Sequence, residues 1–445
     1  TSVSNGLELG QVSNLNNTKT THFQHNYAIP AYLVAIAVTN YQIFTQTAGT
    51  EPNTFPVVNY LYPESYQSVL PQLQQTLLIM DLFEDLFETY PFHDEKYGHA
   101  QFGWGGGMEH TTVSFMGSFS RSLIAHELGH HWFGNKITCG TWRDIWINEG
   151  FAEYMSGLVV EHLDGLPEFV EWKQNKINHI TSLPGGNVYL TETQAQNSNR
   201  IFDSRLTYNK GSMIVHMLRE VLGDEDFYQA VRNILQDPDL AYKAAVTPEI
   251  IEHFETVSGL DLTTFFDNWL YNQGYPTYSI DAQNVSNGQI QMTLSQTTSH
   301  NSVSFFAMPV KVLLVATNGE EEVHVLQNTV NEQTFVLDTN LPNVDEIIIN
   351  PYKDIICKTG NVVLSNNQNS FLEEIKIYPV PVEDKFFIEI PTDSKMSFWS
   401  LYNSEGKKII QDKNHWADIS ALANGVYIIE LMVNDKYYHK KIVKQ

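Results

Sequence analysis

The spacing of apolar residues changes several times along this chain, and each change predicts a different kind of structure. An apolar run at residues 32–38 precedes a cluster of Thr, Gly, Pro and Asn, which predicts strands up to about residue 50. From about residue 55 the spacing becomes three and four, as on one face of a helix. The positions with this spacing are Leu73, Leu77, Met80, Phe83 and Phe87.

The central part of the chain is predicted to be mainly helical. A short strand-like segment at residues 101–104 leads into a run of glycines. Residues 118–275 then read as a series of helices, with starts at Pro167 and Pro248 near acidic residues.

After Pro276 the pattern changes to alternation of apolar and polar residues. Residues 289–294 alternate cleanly, and residues 310–315 form a second strand candidate. Residues 277–360 are therefore predicted to form a β-sandwich. An Asn- and Ser-rich stretch at 361–372 follows and is predicted to be a linker.

A second all-β module is predicted beyond the linker, at residues 373–445. Its strand-like segments are separated by short turns, and the chain closes on a basic segment. The segments are residues 375–381, 386–390, 406–408, 419–422, 425–428 and 441–444.

Residues 126–130, His-Glu-Leu-Gly-His, contain the residue types of a catalytic zinc site. On a helix, His126 and His130 stand one turn apart on one face, so both imidazoles can reach one metal ion. Glu127 lies beside them, where it can contact a water at the metal. Ser120 before this segment and Gly134-Asn135 after it predict a helix between them.

A third ligand is predicted on a second helix. Glu149 follows His130 after 18 intervening residues, which is enough chain for a loop and a new helix start. Two His and one Glu leave the fourth tetrahedral position open, as a hydrolytic zinc site requires. We therefore predict one Zn²⁺ per chain, held by His126, His130 and Glu149, and a zinc peptidase. His131 points about 100° away around the helix and is expected to pack or to support the ligands from outside, rather than to bind the metal.

On these residues the chain resembles the aminopeptidase N family of gluzincin metallopeptidases. Residues 126–135 (HELGHHWFGN) and 148–152 (NEGFA) are similar to its zinc motifs. Residues 269–276 (WLYNQGYP) resemble the end of its catalytic domain. The resemblance covers roughly residues 20–350.

Two more segments resemble the family's substrate-handling motifs. Gly106, Gly107, Met108 and Glu109 are similar to the exopeptidase motif, which implies that they bind substrate and that Glu109 holds the free amino group. His110 follows, where the family usually has Asn. Taken alone, the glycines indicate only a flexible loop.

The segment Tyr208-Asn209-Lys210-Gly211 resembles the family's Tyr-x-Lys-Gly motif. The resemblance implies that Tyr208 is catalytic and donates its phenol to the developing oxyanion, while Glu127 is the general base. Without that resemblance, Tyr208 would be read as ordinary helix packing.

The last module resembles the C-terminal sorting domain of the bacterial type IX secretion system. Val380 replaces the Asn that is common in that family's Tyr-Pro-Asn-Pro segment. A carbohydrate-binding module or an extra sandwich is the alternative. The resemblance implies export by a Gram-negative bacterium, to the medium or the cell surface, with the secretion machinery as a partner.

Together these resemblances imply a multidomain α+β protein. A thermolysin-like zinc catalytic domain, mostly helical, is flanked by β-strand remnants and followed by two small β-sandwich modules. The expected domains are a remnant of the N-terminal β-domain (1–50), the catalytic domain (51–276), a β-sandwich (277–360), a linker (361–372) and a sorting domain (373–445).

The amino-acid composition argues against some classes of binding partner. A formal net charge of -25 argues against nucleic acid or an anionic membrane and favours a soluble surface. The sequence contains no run of 18 apolar residues, so no transmembrane helix is predicted. It opens without a basic and then apolar leader, so any signal peptide is expected to have been removed or omitted. Cys139 and Cys357 are expected to be free thiols, with a single bridge as the alternative.

The sequence thus favours a secreted zinc aminopeptidase acting on peptides. Because most of the family's upstream β-domain is missing, a zinc endopeptidase with an open cleft is one alternative. A non-catalytic surface scaffold is the other, and it would require loss of a ligand, the base or the tyrosine.

Overall fold

A computed structural model describes residues 1–285, 288–342, 344–365, 375–392, 394–434 and 436–445. The chain divides into two compact units. The first contains Thr1–Ile280, Thr293–Phe335 and Asp345–Val362, and the second contains Asp281–Met292, Val336–Val344 and Val363–Gln445. Both helices and strands are present, as the sequence predicts.

The α-helices of the described chain lie between residues 66 and 266. They are α1 (Tyr66–Leu86), α2 (Arg121–Gly129), α3 (Trp146–Leu163), α4 (Leu166–Ile180), α5 (Ser198–Ile201), α6 (Gly211–Leu222), α7 (Asp224–Gln236), α8 (Thr247–Ser258) and α9 (Thr263–Phe266). The predicted helix starts at Pro167 and Pro248 lie in the first turns of α4 and α8.

Strands also lie before and among the helices. They are β1 (Ser2–Ser4), β2 (Leu7–Ser13), β3 (Lys19–Gln24), β4 (Ile36–Val38), β5 (Gln42–Ala48), β6 (Phe55–Leu61), β7 (Tyr97–Gln101), β8 (Gly107–Met108), β9 (Ser114–Met116), β10 (Ile137–Cys139) and β11 (Lys243–Ala245). The main sheet has the order β5-β6-β7-β9-β8, which leaves β8 as its last strand.

Strands follow in the region predicted to alternate. They are β12 (Pro276–Val285), β13 (Gln289–Thr298), β14 (Met308–Ala316), β15 (Glu321–Asn328), β16 (Gln333–Asp338), β17 (Val344–Ile349) and β18 (Lys358–Ser365). They form one sheet in the order β16-β13-β12-β18 and another in the order β15-β14-β17. The strand predictions at 289–294 and 310–315 are confirmed by β13 and β14.

The C-terminal module also contains two sheets. Its strands are β19 (Lys376–Tyr378), β20 (Lys385–Glu389), β21 (Met396–Tyr402), β22 (Lys408–Asp412), β23 (Trp416–Asp418), β24 (Gly425–Val433) and β25 (Lys436–Lys444). The orders are β19-β20-β23 and β22-β21-β24-β25, and buried side chains from both sheets, such as Phe386 and Trp399, form one hydrophobic cluster.

Strands are present up to Ala48, as the sequence predicts, but the apolar run at 32–38 is a strand only in its last part. A 3-10 helix covers Ala31–Leu33, and only β4 is a strand. The side chain of Asn5 explains the difference, since it donates to the carbonyl of Leu33 and accepts from the backbone N–H of Ala35. The polar backbone groups of this run are therefore satisfied without a full ladder.

The chain around residue 55 is also a strand rather than the start of a helix. β6 pairs with β5 antiparallel and with β7 parallel, and the predicted helix begins only at Tyr66. The main sheet therefore extends across the domain boundary expected after residue 50. The strand expected at 101–104 lies earlier in the chain, because β7 covers Tyr97–Gln101 and ends where the expected strand begins.

Two predictions near the C-terminus differ in detail. β18 continues to Ser365, so the first residues of the expected linker are a strand, and residues 366–372 lie outside the described part of the chain. In the C-terminal module, β21 was not predicted, and the segment 419–422 forms turns after β23 rather than a strand.

Candidate metal centre and peptide cleft

The three predicted ligand atoms lie together. Nε2 of His130 is 3.1 Å from Nε2 of His126 and 3.2 Å from Oε2 of Glu149, and Nε2 of His126 is 3.4 Å from the same oxygen. Tetrahedral zinc with bonds of about 2.0–2.1 Å separates its ligand atoms by about 3.3 Å. The triangle therefore fits a zinc ion, and these residues can hold a metal.

Two helices place these ligands. Ser120 caps α2 by accepting a hydrogen bond from the backbone N–H of Leu123, as the sequence predicts. α2 ends at Gly129, earlier than the predicted stop at Gly134-Asn135, because Asn135 N–H donates to the carbonyl of His130 and turns the chain. Glu149 lies in the first turn of α3.

Each histidine is oriented through its second ring nitrogen. Nδ1 of His126 lies 2.9 Å from Oε2 of Glu153, and Nδ1 of His130 lies 3.0 Å from the carbonyl of Phe133. Glu153 in turn pairs with Lys176. These contacts fix the tautomers so that both Nε2 atoms face the ligand triangle.

The electrostatics of the triangle favour a cation. Burial alone would lower the pKa of His130, but the charges of Glu109 and Glu149 raise it to about 9. Burial would raise the pKa of Glu149, yet His130 and the hydrogen bonds from both histidines hold it at about 2. The site therefore binds protons tightly, and a dication satisfies the same set of negative charges.

Glu127 stands beside the triangle with one oxygen unused. Its Oε2 is buried and has no hydrogen-bond partner. Burial raises the pKa of this carboxyl to about 7, although the imidazoles of His126 and His130 oppose the rise. The carboxylate lies directly against Gly107, where a Cβ would sit 2.4 Å from Oε1 of Glu127. A side chain at position 107 would therefore displace this carboxylate, which gives one glycine of the predicted exopeptidase segment a physical reason.

The exopeptidase segment forms the edge strand of the sheet. Gly107 and Met108 pair with Met116 and Phe115 on β9, and β8 is the last strand in the sheet order. Gly106, with φ at 82°, makes the turn into this strand. An extended peptide can therefore add to the outer side of β8 through backbone hydrogen bonds.

Glu109 follows β8 and is 7% exposed. Burial raises the pKa of its carboxyl, while the charge of His130 opposes the rise. Asn135 donates from its side chain to the carbonyl of Glu109, and Nδ1 of His110 lies 3.1 Å from the carbonyl of Leu33. His110 thus ties the end of the exopeptidase segment to the N-terminal part of the first unit.

Tyr208 lies on a π-helix, Ser204–Lys210, that leads into α6. Its ring stacks over His126 with the ring centroids 5.8 Å apart. Burial, then the charges of Glu149 and Glu109, raise the pKa of its phenol well above the usual value, so the hydroxyl keeps its proton.

A contact between two glycines brings Tyr208 to the ligand triangle. Gly150 follows Glu149, Gly211 follows the π-helix, and a Cβ on Gly150 would lie 3.2 Å from backbone atoms of Gly211. Helices α3 and α6 therefore approach each other closely enough that a Cβ at position 150 would push them apart by a few tenths of an ångström. Each of the two motifs contains its glycine for this reason.

One cleft of about 210 Å³ joins these parts. It contains all of the predicted site residues except Gly106, and it also contains residues that were not predicted. The lining residues are Tyr32, Gly107, Met108, Glu109, His126, Glu127, His130, Trp142, Ile145, Asn148, Glu149, Phe202 and Tyr208.

The sequence interpretation missed Glu153 and the aromatic lining. Glu153 follows Glu149 by four residues, so helix periodicity places both on one face, and this signal was available. Tyr32 and Phe202 are distant in sequence from the motifs and carry no such signal. His131 was predicted correctly to pack, since it is fully buried between Tyr90 and Ser114.

Comparison with known families identifies two parts of the chain. Residues 108–269 match the Peptidase family M1 domain, and the chain therefore contains a peptidase domain of family M1, the aminopeptidase N family. Residues 376–445 match the Secretion system C-terminal sorting domain, the type IX sorting domain expected from the sequence. Both resemblances stated from the motifs are confirmed.

Individual relatives agree with the family. The chain is 27% identical to glutamyl aminopeptidase of Sus scrofa over 75% of this chain and 37% of that protein. It is 33% identical to aminopeptidase N of Lactococcus lactis subsp. lactis over 36% of this chain and 19% of that protein. The chain thus spans well under half the length of these curated relatives.

A solved structure supports the fold. The crystal structure of Legionella pneumophila aminopeptidase A in complex with aspartic acid is similar, with a TM-score of 0.67 and 16% identity over 81% of this chain and 43% of that chain.

Two smaller predictions can also be compared with the structure. Within the described residues, no helix has both the length and the apolar character needed to cross a bilayer. Cys139 and Cys357 are free thiols.

Proposed function

We propose that this protein is a zinc aminopeptidase that removes residues from the N-terminus of peptides. The triangle of ligand atoms on His126, His130 and Glu149 carries the proposal, because its spacing fits zinc and Glu127 lies beside it with a free oxygen. Membership of one domain in family M1, and relatives named as aminopeptidases, support the same activity.

Zinc supplies Lewis acidity, which lowers the pKa of water and polarises a carbonyl group. Glu127 takes a proton from the attacking water while the oxygen of that water bonds to the scissile carbon. Glu127 then passes the proton to the leaving amine when the C–N bond breaks. Tyr208 keeps its proton and donates a hydrogen bond to the oxygen that becomes negative.

The proposed positioning of the peptide follows from β8 and Glu109. The substrate backbone pairs with Gly107 and Met108, and its ammonium group meets the carboxylate of Glu109. Loss of hydration by that ammonium group is compensated only when the carboxylate is present. Glu109 therefore favours a free N-terminus over an internal peptide bond.

Substitution of the base tests the mechanism. Glu127→Gln should keep about one zinc per chain but lower kcat by at least about 100-fold, because the ligands remain while the base is lost. Glu171→Gln, at an exposed position on α4, is the matched control and should behave as wild type. Full activity in Glu127→Gln would remove the assignment of the base.

The oxyanion donor has its own test. Tyr208→Phe removes the hydroxyl but keeps the ring that stacks on His126, so zinc binding and KM should change little. The value of kcat should fall by roughly 10²–10³, the usual cost of one lost oxyanion donor. An unchanged kcat would mean that Tyr208 only packs.

We further propose that the protein is exported through its sorting domain. The two sheets before the linker region are proposed to form one β-sandwich, and the two sheets after it a second one. The part that matches family M1 is proposed to be a thermolysin-like catalytic domain. In this proposal the domains follow the order expected from the sequence, although β5, before residue 50, belongs to the same sheet as β6, and β18 extends to Ser365. A chain ending before Ile375 should stay inside the native bacterium, whereas the full chain reaches the medium or the cell surface. Normal export of the shortened chain would contradict the sorting role.

A further inference from the structure

Three aromatic side chains stand partly exposed in the cleft. The exposed fractions are 38% for Tyr32, 44% for Trp142 and 46% for Phe202. The ring centroids of Tyr32 and Trp142 are 6.2 Å apart, and those of Trp142 and Phe202 are 6.0 Å apart. We call these three residues the aromatic wall. A contiguous exposed apolar surface inside a groove is typical of a ligand-binding site.

The aromatic wall is held in place before any ligand binds. The hydroxyl of Tyr32 accepts a hydrogen bond from the side chain of Asn148. Trp142 begins a 3-10 helix capped by Thr141, whose hydroxyl also donates to Asp144. Asp144 is itself buried and accepts two hydrogen bonds from Thr247. A preformed apolar surface costs little ordering entropy when a side chain packs on it.

The cations that lie close in sequence to Trp142, Phe202 and Tyr208 are paired with other groups. Arg143 donates to the carbonyl of Leu190 and to Glu192, and its guanidinium lies over the ring of Tyr189. Arg200, Arg205 and Lys210 each donate to a backbone carbonyl, those of Asn187, Ile180 and Gly186 respectively.

Outside the metal centre, the charged side chains that line the cleft are carboxylates. Among the described residues that line it, none is Lys or Arg, whereas Glu109, Glu127 and Glu149 are carboxylates. The zinc ion is proposed to polarise the scissile carbonyl, so an acidic side chain beside the aromatic wall would have no Lys or Arg among the described lining residues to pair with, which is strongly unfavourable away from water.

The wall begins where the first residue of a peptide would lie. Nδ1 of His110, the residue after Glu109, lies 3.1 Å from the carbonyl of Leu33, the residue after Tyr32, and both Tyr32 and Glu109 line the cleft. When Glu109 holds the ammonium group, the side chain on the adjoining carbon therefore emerges beside Tyr32.

We propose that the aromatic wall selects peptides whose first residue has a large uncharged side chain, aromatic or leucine-like, and rejects an acidic first residue. This inference rests on the proposed function, because Glu109 must hold the amino group. It names the substrate class of that same site, with Trp142 and Phe202 as the specificity-determining residues.

Aminoacyl 4-nitroanilides with different first residues test the selection. For the wild-type enzyme, the phenylalanyl and leucyl reporters should have a kcat/KM at least about tenfold higher than the alanyl reporter. The same two reporters should have a kcat/KM at least about 100-fold higher than the glutamyl reporter. Trp142→Ala and Phe202→Ala should each reduce the phenylalanyl-to-alanyl ratio of kcat/KM by about tenfold.

Trp416→Ala is the matched control, since Trp416 is 46% exposed on β23 of the C-terminal module, close to the 44% of Trp142. It should leave every ratio unchanged. Phe202→Arg adds a cation to the wall and should raise the glutamyl-to-phenylalanyl ratio by at least about tenfold.

Two results would overturn the inference. One is a glutamyl rate within about threefold of the phenylalanyl rate, and the other is unchanged ratios in both alanine variants. Hydrolysis of the alanyl reporter by the wild type would still support the proposed function in either case.

Binding gives a second readout that needs no turnover. In calorimetry with the zinc-loaded Glu127→Gln variant, free phenylalanine should bind at least about tenfold more tightly than free glutamate. Equal binding of the two amino acids would contradict the selective role of the aromatic wall, whether or not any reporter is hydrolysed. A lack of hydrolysis of every reporter would instead contradict the proposed function.

Discussion

Nδ1 of His126 lies 2.9 Å from Oε2 of Glu153, a residue one helical turn beyond Glu149 on α3. One helix therefore provides both a candidate metal ligand and the carboxylate that orients another ligand. Glu153 is in turn held by Lys176 of α4. The geometry of the metal centre thus depends on contacts outside the three ligands.

We predict that Glu153→Ala weakens zinc binding without removing a ligand. The imidazole of His126 loses the acceptor for its Nδ1 proton, so zinc affinity should fall by about 10–100-fold. Competition with a chromophoric chelator measures this directly. Glu171→Ala, on the exposed side of α4, should retain wild-type affinity. Equal affinity in the two variants would show that Glu153 does not orient the ligand.

The second prediction compares two neighbouring glycines. Gly107→Ala places a Cβ where the carboxylate of Glu127 lies, whereas a Cβ on Gly105 meets no atom within 4 Å. Gly107→Ala should therefore displace the base and lower kcat by at least about 100-fold while zinc is kept. Gly105→Ala should be close to wild type. Equal steady-state rates for both variants would contradict the role of this contact.

The third prediction concerns protons displaced by the metal. In the metal-free protein the pKa of His130 is raised to about 9, and that of His126 is raised well above normal by hydrogen bonds to Glu149 and Glu153, although burial opposes both shifts. Zinc needs both imidazoles neutral. At pH 7, binding should release about one to two protons, and the apparent affinity should fall as the pH is lowered.

Calorimetry in buffers of different ionisation enthalpy counts these protons. Zinc binding with no proton release at pH 7, or with affinity independent of pH between about 6 and 8, would contradict the predicted charge state of the site.

The fourth prediction concerns a buried ion cluster between α4, α6 and the loop before β18. Asp354 pairs with Lys173, His216 and Lys311, and is 4% exposed. Burial opposes ionisation, but these partners hold the pKa of Asp354 well below its usual value. The resulting stabilisation is complete above the unfolded-state pKa of about 3.9 and is lost as the pH falls below it.

Asp354→Asn should therefore destabilise the first unit by about 3–5 kcal/mol near neutral pH, because Lys173 is left buried without its carboxylate. The difference from wild type should shrink as the pH falls below about 4. Chemical denaturation at several pH values measures it. Asp345→Asn, at an exposed position on β17, should have little effect, and equal stability of the two variants would contradict the prediction.

The metal ligands could be predicted because the spacing of His126 and His130 on a helix already defines a shared face, and Glu149 opens the next helix. The aromatic wall could not, since Tyr32 and Trp142 meet only after the main sheet and the helices have packed. Similarly, β6 was mistaken for a helix start because a strand buried in a sheet lacks the clean alternation of a half-exposed strand.

The turn that ends α2 was placed too late for a related reason. Gly134 and Asn135 do mark a turn, but the backbone hydrogen bond from Asn135 to His130 begins that turn earlier. Linear patterns predict the type of an element better than its last residue.

The most direct measurement of the central claim is mass spectrometry of a ten-residue peptide digested by the wild-type enzyme, with its N-terminus free or acetylated. Acetylation removes the charge that Glu109 is proposed to hold, so the free peptide should lose residues one at a time from its N-terminus. The acetylated peptide should be cut at least about 100-fold more slowly. Glu109→Ala should erase most of this difference by slowing only the free peptide. Internal fragments from both peptides at similar rates would contradict the account and indicate an endopeptidase.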